Sequence, residues 1–326
     1  QYNRDLLEAL DSSEQITSVI CLVRYGRGNE EAPEKINQLE QKNSKLSYSL
    51  SAIRQAVNLK PDVVFCGHIN LLPIASLTAF FTGARIWLQL HGIDAWEKPN
   101  SLVAKLVENA AMVTCVSRYT RKRFLKWANL DPIKVKVLSN TIGIVNESTV
   151  TTPSPLGGVS DEAGQAQGWG EGAIPENKKI LLTVGRLSAK EQYKGQDRVI
   201  ECLPELIDKD PSIHYVIAGD GDDMQRLRDL ADQHSVSENV SFIGYVKDEQ
   251  LDQLYNMSDL FVMPSTGEGF GIVYLEAMAH GVPALGLFED GSIDPLQDGQ
   301  LGIVATKEDL CDEIIKALNS KNDTEL

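Results

Sequence analysis

The segment MPSTGEGFGIVYLEAMAHGVP, Met263 to Pro283, holds the residue types best suited to chemistry. The pattern ends a strand at Met263, places glycines at Gly267, Gly269 and Gly271, and opens a helix near Ile272. Glycine lets backbone amides approach a ligand with no Cβ in the way. The unpaired N–H groups of a helix start, together with its dipole, suit a phosphate. Two carboxylates frame this loop, Glu268 before the helix and Glu276 in its second turn. A carboxylate beside an anion site finds its partners in hydroxyl groups, and sugars and ribose are built of those. The loop therefore reads as a site for a molecule that carries both phosphate and sugar.

A second segment, TVGRLSAKEQYKGQDRVI from Thr183 to Ile200, supplies the opposite charge. Strand Ile180–Val184 ends at Gly185, Arg186 projects from its carboxyl end, and Lys194-Gly195 follows just before a helix. Arginine engages phosphate oxygens in bidentate fashion and lysine acts as a point charge, so the pair could clamp a diphosphate. Read alone, Arg186 is equally a surface residue of a strand–helix loop, and Glu276 a solvated helix position. The spacing of the two glutamates through the glycine loop, with two cations on the same rim, favours the ligand reading.

Positioning these residues requires a parallel sheet. Apolar runs of strand length alternate with helical patterns along most of the chain, which implies helices on both faces of such a sheet. In the first half the strands read Ile16–Val23, Val63–Cys66, Ile86–Leu90, Met112–Val116 and Val135–Leu138, with helices over Ser44–Leu59 and Tyr119–Trp127. In the second half the strands read Ile180–Val184, His214–Ala218, Val240–Ile243 and Leu260–Met263. The helices there are Asp197–Ile207, Met224–Gln233, Asp248–Asn256 and Ile272–His280. The runs are continuous rather than alternating, as for strands buried on both sides. Between the halves, residues 147–178 are dominated by Gly, Ser, Thr and Pro with no apolar period, which marks a linker or loop. The expected organisation is thus an α/β chain of two Rossmann-like domains, 1–146 and 179–326, facing across a cleft at the carboxyl ends of their strands.

Composition narrows the function. The 326 residues are 42% hydrophobic and 24% charged, an ordinary globular mix that excludes a disordered chain. A net charge of −15 gives no general electrostatic reason to bind nucleic acid. No apolar run approaches the ~18 residues of a membrane span; the longest, Ile69 to Ala84, is broken by Pro73, Thr78 and Thr82. Cys21, Cys66, Cys115, Cys202 and Cys311 show no metal or disulfide spacing and read as reduced core thiols of a cytoplasmic protein. Gln1 opens directly into a helical pattern with no preceding strand, so an N-terminal piece of the natural protein is expected to be missing.

Gly185-Arg186, Lys194-Gly195, Gly219-Asp220-Gly221, Glu268-Gly269-Phe270-Gly271 and Glu276-Ala277, in that order, resemble the donor-binding domain of family 4 glycosyltransferases of the GT-B fold. Glu268 and Glu276 match that family's E-x(7)-E motif. The first half resembles the family more thinly, in HGID at His91–Asp94, CVSRYTRKR at Cys115–Arg123 and VKVLSNT at Val135–Thr141. The resemblance implies retaining transfer of a hexose from a nucleotide diphosphate sugar to a glycan or lipid-linked acceptor, as in building cell-surface polysaccharide, with no metal and no cofactor. It assigns Arg186 and Lys194 to the diphosphate, Glu276 to the ribose and Glu268 to donor-sugar hydroxyls. Gly269, Phe270, Gly271 and Ile272 line the donor, Val246 to Asp248 and Leu251 take the segment that cradles the base, and His91 faces the donor sugar. On the residues alone, His91 reads also as a core histidine at the end of strand Ile86–Leu90. No general base is named, because the departing phosphate can itself take the acceptor's proton.

The sequence departs from the family's pattern in places. In Leu287 to Gly299, LFEDGSIDPLQDG, a single glycine, Gly291, stands at the place of the family's Gly-Gly pair, and Asp294 stands near its glutamate position. Asn140-Thr141-Ile142-Gly143 replaces the usual Asn-Gly-Val-Asp, and the C-terminal helix that crosses back onto the first domain is expected to be absent. Asp220-Gly221-Asp222 spells D-x-D, which holds a metal in glycosyltransferases of the GT-A fold. Its place at a strand end makes Asp222 or Asp223 a helix cap instead. Gly219-x-Gly221 lacks the third glycine of a dinucleotide fingerprint, Met224 standing there. Arg118, Arg121, Lys122, Arg123 and Lys126 form a basic helix that suits a peripheral contact with the inner face of a membrane, or simply a solvated face. A sugar phosphorylase, a nucleotide-sugar epimerase and an inactive nucleotide-sugar binding fragment are the competing readings.

Overall fold

The computed structural model describes residues 2–22, 34–39, 44–142 and 174–320. Most of the expected linker, through residue 173, lies outside them. The chain divides into two units, Gln1–Gly143 and Ile144–Leu326.

The first unit runs α1 (Tyr2–Ser12), β1 (Val19–Leu22), β2 (Ile36–Leu39), α2 (Lys45–Leu59), β3 (Val63–Cys66), α3 (Leu72–Thr82), β4 (Arg85–Leu90), α4 (Ser101–Val107), β5 (Met112–Cys115), α5 (Arg118–Leu125) and β6 (Val135–Val137). Strands β3, β4, β5 and β6 form a parallel sheet in that order, and β1 pairs with β2 in a separate parallel pair. Ser44 caps α2 by accepting the Ser47 N–H, and Ser117 caps α5 through the Thr120 N–H, as short hydroxyl side chains do at helix starts. Leu88, Leu90, Val113, Cys115 and Phe124 are buried in one core between sheet and helices. The apolar stretch Ile69 to Ala84 is a short 3-10 turn followed by α3, and among the described residues no helix is long and apolar enough to cross a membrane.

The second unit runs β7 (Lys179–Val184), α6 (Gln196–Lys209), β8 (Ile213–Ala218), α7 (Met224–Gln233), β9 (Val240–Gly244), α8 (Asp248–Asn256), β10 (Leu260–Val262), α9 (Ile272–Ala279), β11 (Ala284–Leu287), β12 (Ile303–Ala305) and α10 (Leu310–Ser320). All six strands are parallel, in the order β12-β11-β10-β7-β8-β9. The alternation of side chains explains the continuous apolar runs. Leu181, Tyr215 and Ile217 point into a core shared with α6, α7 and α10. Ile180, Leu182 and Val216 point into a second core that includes Leu254 of α8 and Tyr274 of α9. Each fully buried leucine or isoleucine contributes about 1.5–3 kcal/mol, so both faces of the sheet need their helices.

The expectation of five reduced thiols does not hold. Cys202 of α6 and Cys311 of α10 are joined in a disulfide, with Cα atoms 5.5 Å apart, within the distance a bridge requires. The two helices pack side by side, which brings together residues 109 positions apart. Cys66 and Cys115 are buried free thiols, and Cys21 is half-buried. Burial pushes the Cys66 and Cys115 thiols up to about 11 and about 12, respectively.

Candidate functional site

Strands β7 and β10 are neighbours, yet the chain continues from β7 to β8 on one side while β10 leads to β11 on the other. The crevice outside the carboxyl ends of two such strands is where open α/β sheets take ligands. Arg186 follows β7, and the glycine loop follows β10, so both sequence-predicted segments leave the sheet at this point.

The first segment turns back on itself. Gly185 N–H donates to Ala218 O at 2.9 Å and Leu187 N–H to Asp220 O at 3.0 Å, which fixes Arg186 at the rim. The Arg186 guanidinium donates through Nη2 to Glu191 Oε1. Lys194 Nζ lies 3.0 Å from Glu191 Oε2. The Lys194 ammonium also lies 3.2 Å from where a Cβ on Gly185 would stand, so it covers the start of the turn. The Arg186 side chain is 78% exposed, whereas Lys194 is only 8% exposed. Glu191, which the sequence analysis did not single out, thus holds both cations.

The second segment is locked onto the first. Thr266 N–H donates to Tyr193 O at 2.8 Å. Gly195 has φ +82°, and a Cβ there would meet Pro264 O at 2.4 Å; one on Gly267 would stand 2.5 Å from the Tyr193 ring. Only glycine tolerates that conformation and that approach. Helix α9 then starts at Ile272 after Gly271, and no side chain caps it. Its first amides point away from the helix with no side-chain acceptor, the arrangement that suits an anion.

Glu268 feels the charge of both cations. Burial raises its carboxyl, Lys194 pulls it back down, and Asp290 and Glu191 push it up. Asp290 is fully buried, and burial is also the main cause that lifts its own carboxyl. Glu276 lies further along α9, where its Oε2 accepts the Tyr255 hydroxyl at 3.0 Å. The Tyr255 ring stacks on His280, centroids 5.2 Å apart. His280 keeps company the sequence did not show: its Nδ1 lies 2.8 Å from Glu276 O and its Nε2 3.2 Å from Asp252. Val246 and Leu251 are half-buried and pack against the core under this end of the sheet. His91 belongs to the first unit, at the end of β4, with Nε2 3.0 Å from Gly67 O and its backbone N–H on Asp94 Oδ1 at 3.3 Å.

Two other readings change. Asp223 stands at the cap position of α7 but makes no side-chain cap bond. Its carboxylate accepts instead from Arg226 at 2.7 and 2.6 Å and from Gln192 at 2.9 Å. Asp222 accepts the Ala189 N–H at 2.8 Å. Asp222 therefore braces the loop after Arg186, while Asp223 ties Gln192 to Arg226 in the first turn of α7. In the basic helix α5, Arg121 is spent on Val135 O and Pro132 O, and Arg123 on Glu97 and the face of Trp96.

A doubly wound sheet with cations, an uncapped helix start and buried carboxylates at its switch point defines an α/β protein built to take an anionic ligand at that point. Residues 1–144 match the family described as Glycosyltransferase Family 4, and residues 170–325 the family described as Glycosyl transferases group 1. The chain belongs to the family 4 glycosyltransferases of the GT-B fold. It is 30% identical over 261 residues to a GDP-mannose-dependent alpha-(1-6)-phosphatidylinositol monomannoside mannosyltransferase of Mycolicibacterium smegmatis, covering 76% of this chain and 64% of that one. It is 39% identical over 112 residues to an uncharacterized glycosyltransferase of Methanocaldococcus jannaschii, covering 34% and 28%. The chain therefore spans less than two thirds of the length of these relatives. Among solved structures, Anabaena HepE in complex with UDP is similar, with a TM-score of 0.67 at 19% identity over 88% of this chain and 77% of that one. The lipopolysaccharide outer core galactosyltransferase WaaB has a TM-score of 0.68 at 18% identity over 98% and 86%.

Proposed function

We propose that this chain is the working part of a retaining glycosyltransferase that moves a hexose from a nucleotide diphosphate sugar to a glycan or lipid-linked acceptor in cell-surface polysaccharide synthesis. The observation that carries the reading is the packing of the Tyr193-Lys194-Gly195 turn against residues 264–267 of the glycine loop, which leads into the uncapped start of α9 at the switch point of the sheet. Relatives support the substrate classes: one is GDP-mannose-dependent, one is an alpha-monoglucosyldiacylglycerol synthase of Acholeplasma laidlawii, and HepE is also seen with UDP-glucose.

In this reading the diphosphate sits on Lys194 and the first amides of α9. Arg186, exposed at the rim, turns from Glu191 onto the phosphate oxygens. Breaking the glycosidic bond leaves negative charge on the departing phosphate, and positive groups fixed in place beforehand lower that barrier. Glu276 takes the ribose hydroxyls, Val246 and Leu251 the base, and Glu268 the sugar. The departing phosphate accepts the acceptor's proton, so no protein base is required. Because the chain itself supplies the charge, transfer proceeds without a metal. We place the protein in the cytoplasm, in peripheral contact with the inner face of the membrane, with the Cys202–Cys311 bridge as the exception to the reduced thiols usual there.

The test is a thermal-shift screen of UDP, UDP-glucose, GDP and GDP-mannose, since a bound ligand stabilises the fold in proportion to the logarithm of its saturation. A transfer assay on Glu268→Ala follows. Transfer should fall at least tenfold while nucleoside diphosphate binding stays; equal loss of both overturns the sugar-side role. Chelator should leave transfer intact. Donor turnover with no acceptor present would favour the epimerase reading.

A further inference from the structure

Asp290 lies in the β11–β12 connection, the stretch whose sequence departs most from the family's pattern, and it is fully buried. Its carboxylate faces the glycine loop. Oδ2 accepts the backbone N–H of Glu268 at 2.6 Å and Oδ1 that of Ser292 at 2.9 Å. The nearby Ser265 hydroxyl favours the ionised form of the same carboxylate, and Ser265 Oγ accepts the Gly267 N–H at 3.2 Å. On the other side of the same residue, Gly291 N–H donates to Glu268 O at 2.9 Å. The two loops meet so closely that a Cβ on Gly291 would stand 2.1 Å from Gly269 O. Glu268 is thus held at both its N–H and its C=O by consecutive residues, Asp290 and Gly291, that come from another part of the chain.

We infer that Asp290 is the positioning residue of Glu268: it sets the backbone of the glycine loop so that the Glu268 carboxylate meets the donor sugar. This rests on the proposed contact between Glu268 and that sugar. A carboxylate can accept two N–H groups and a hydroxyl at once, whereas an amide offers one acceptor oxygen and a pair of donors. Asp290→Asn therefore sets an N–H against an N–H, at Glu268 or at Ser292, and releases the loop. The cations, the ribose acid and the base segment do not depend on Asp290, so the nucleotide should still bind.

The experiment compares affinities for UDP with UDP-glucose, and for GDP with GDP-mannose, in the full chain and in Asp290→Asn, Glu268→Ala and the double variant. A hydrogen bond to a charged group is worth about tenfold or more in affinity. Glu268→Ala should lower the preference for nucleotide sugar over nucleotide by about that factor. Asp290→Asn should lower it similarly with nucleotide affinity unchanged, and the double variant should be no worse than Glu268→Ala. Additive losses, or a preference unchanged in Asp290→Asn, overturn the inference while the reading of Glu268 stands. A silent Glu268→Ala, or binding of neither pair, overturns that reading and the inference with it. Should Asp290→Asn not fold, Ser265→Ala loosens the same carboxylate more gently; its preference should fall in the same direction, and no change there overturns the inference.

Discussion

Glu191 gives one oxygen to Arg186 and the other to Lys194, so a single carboxylate balances two cations. A buried cation without a partner is costly, which is why Lys194 needs Glu191 and why a diphosphate is a natural substitute. Lys194→Ala should lower kcat/KM for transfer on the order of 10²–10³, measured with saturating acceptor. Arg186→Lys should keep only part of the activity, because an ammonium cannot engage two oxygens in parallel. Spacing alone brought out Arg186, Lys194, Glu268 and Glu276 as a group, because cations at a strand end and acids around glycines leave a local signature. Glu191 and Asp290 left none. Each is a single acid in a loop, with no period and no motif. Asp290 matters through its approach to Glu268, 22 positions earlier in the chain.

Among the elements, those with long apolar runs were legible: the strands around Val63, Leu181, Tyr215 and Phe261 fall within a residue or two of their readings. Strands β2, β11 and β12 were not, because three or four residues such as IVA carry too little pattern. Helices α4 and α10 were missed as well, although Leu310, Ile314, Ala317 and Leu318 of α10 keep helical spacing in the sequence and form the stripe that packs against α6. That packing carries a prediction. A bridge closing so long a loop stabilises by about 2–4 kcal/mol, so reductant, or the double variant Cys202→Ser with Cys311→Ser, should lower the melting temperature of the oxidised protein. A second prediction lies between β8 and β9, where His214 Nε2 lies 2.9 Å from Ser241 Oγ. Burial holds this imidazole neutral down to about 4. The unfolded chain takes up the proton near 6.5, so folding stability should fall as pH drops from about 6.5 to about 4. His214→Gln should flatten that part of a melting-temperature profile.

For the whole molecule, charge is unevenly spread. The chain carries 46 acids, yet residues 43–93 contain one, Asp62, against Lys45, Arg54, Lys60 and Arg85. In the same stretch Phe80 and Phe81 of α3 are 80% and 58% exposed, and Leu46 and Leu50 of α2 are exposed as well. Exposed apolar side chains in a stretch with an excess of cations suit an anionic lipid surface, so with two arginines of α5 engaged internally the exposed side chains of α2 and α3 support the proposed membrane contact better than α5 does. Co-sedimentation with phosphatidylglycerol vesicles should fall several-fold in Phe80→Ser with Phe81→Ser, and binding unchanged would remove the contact from this face. The whole-chain alternation of strand and helix was enough to read an α/β protein, but the strand order that puts β7 beside β10 depends on pairings between distant segments. One consequence follows from the Cys202–Cys311 bridge. It closes a covalent ring around Glu268, Glu276 and Asp290, so a protease that nicks any exposed loop between those cysteines releases no fragment. The cut protein should migrate as one band on a denaturing gel until thiol is added, and then separate into two.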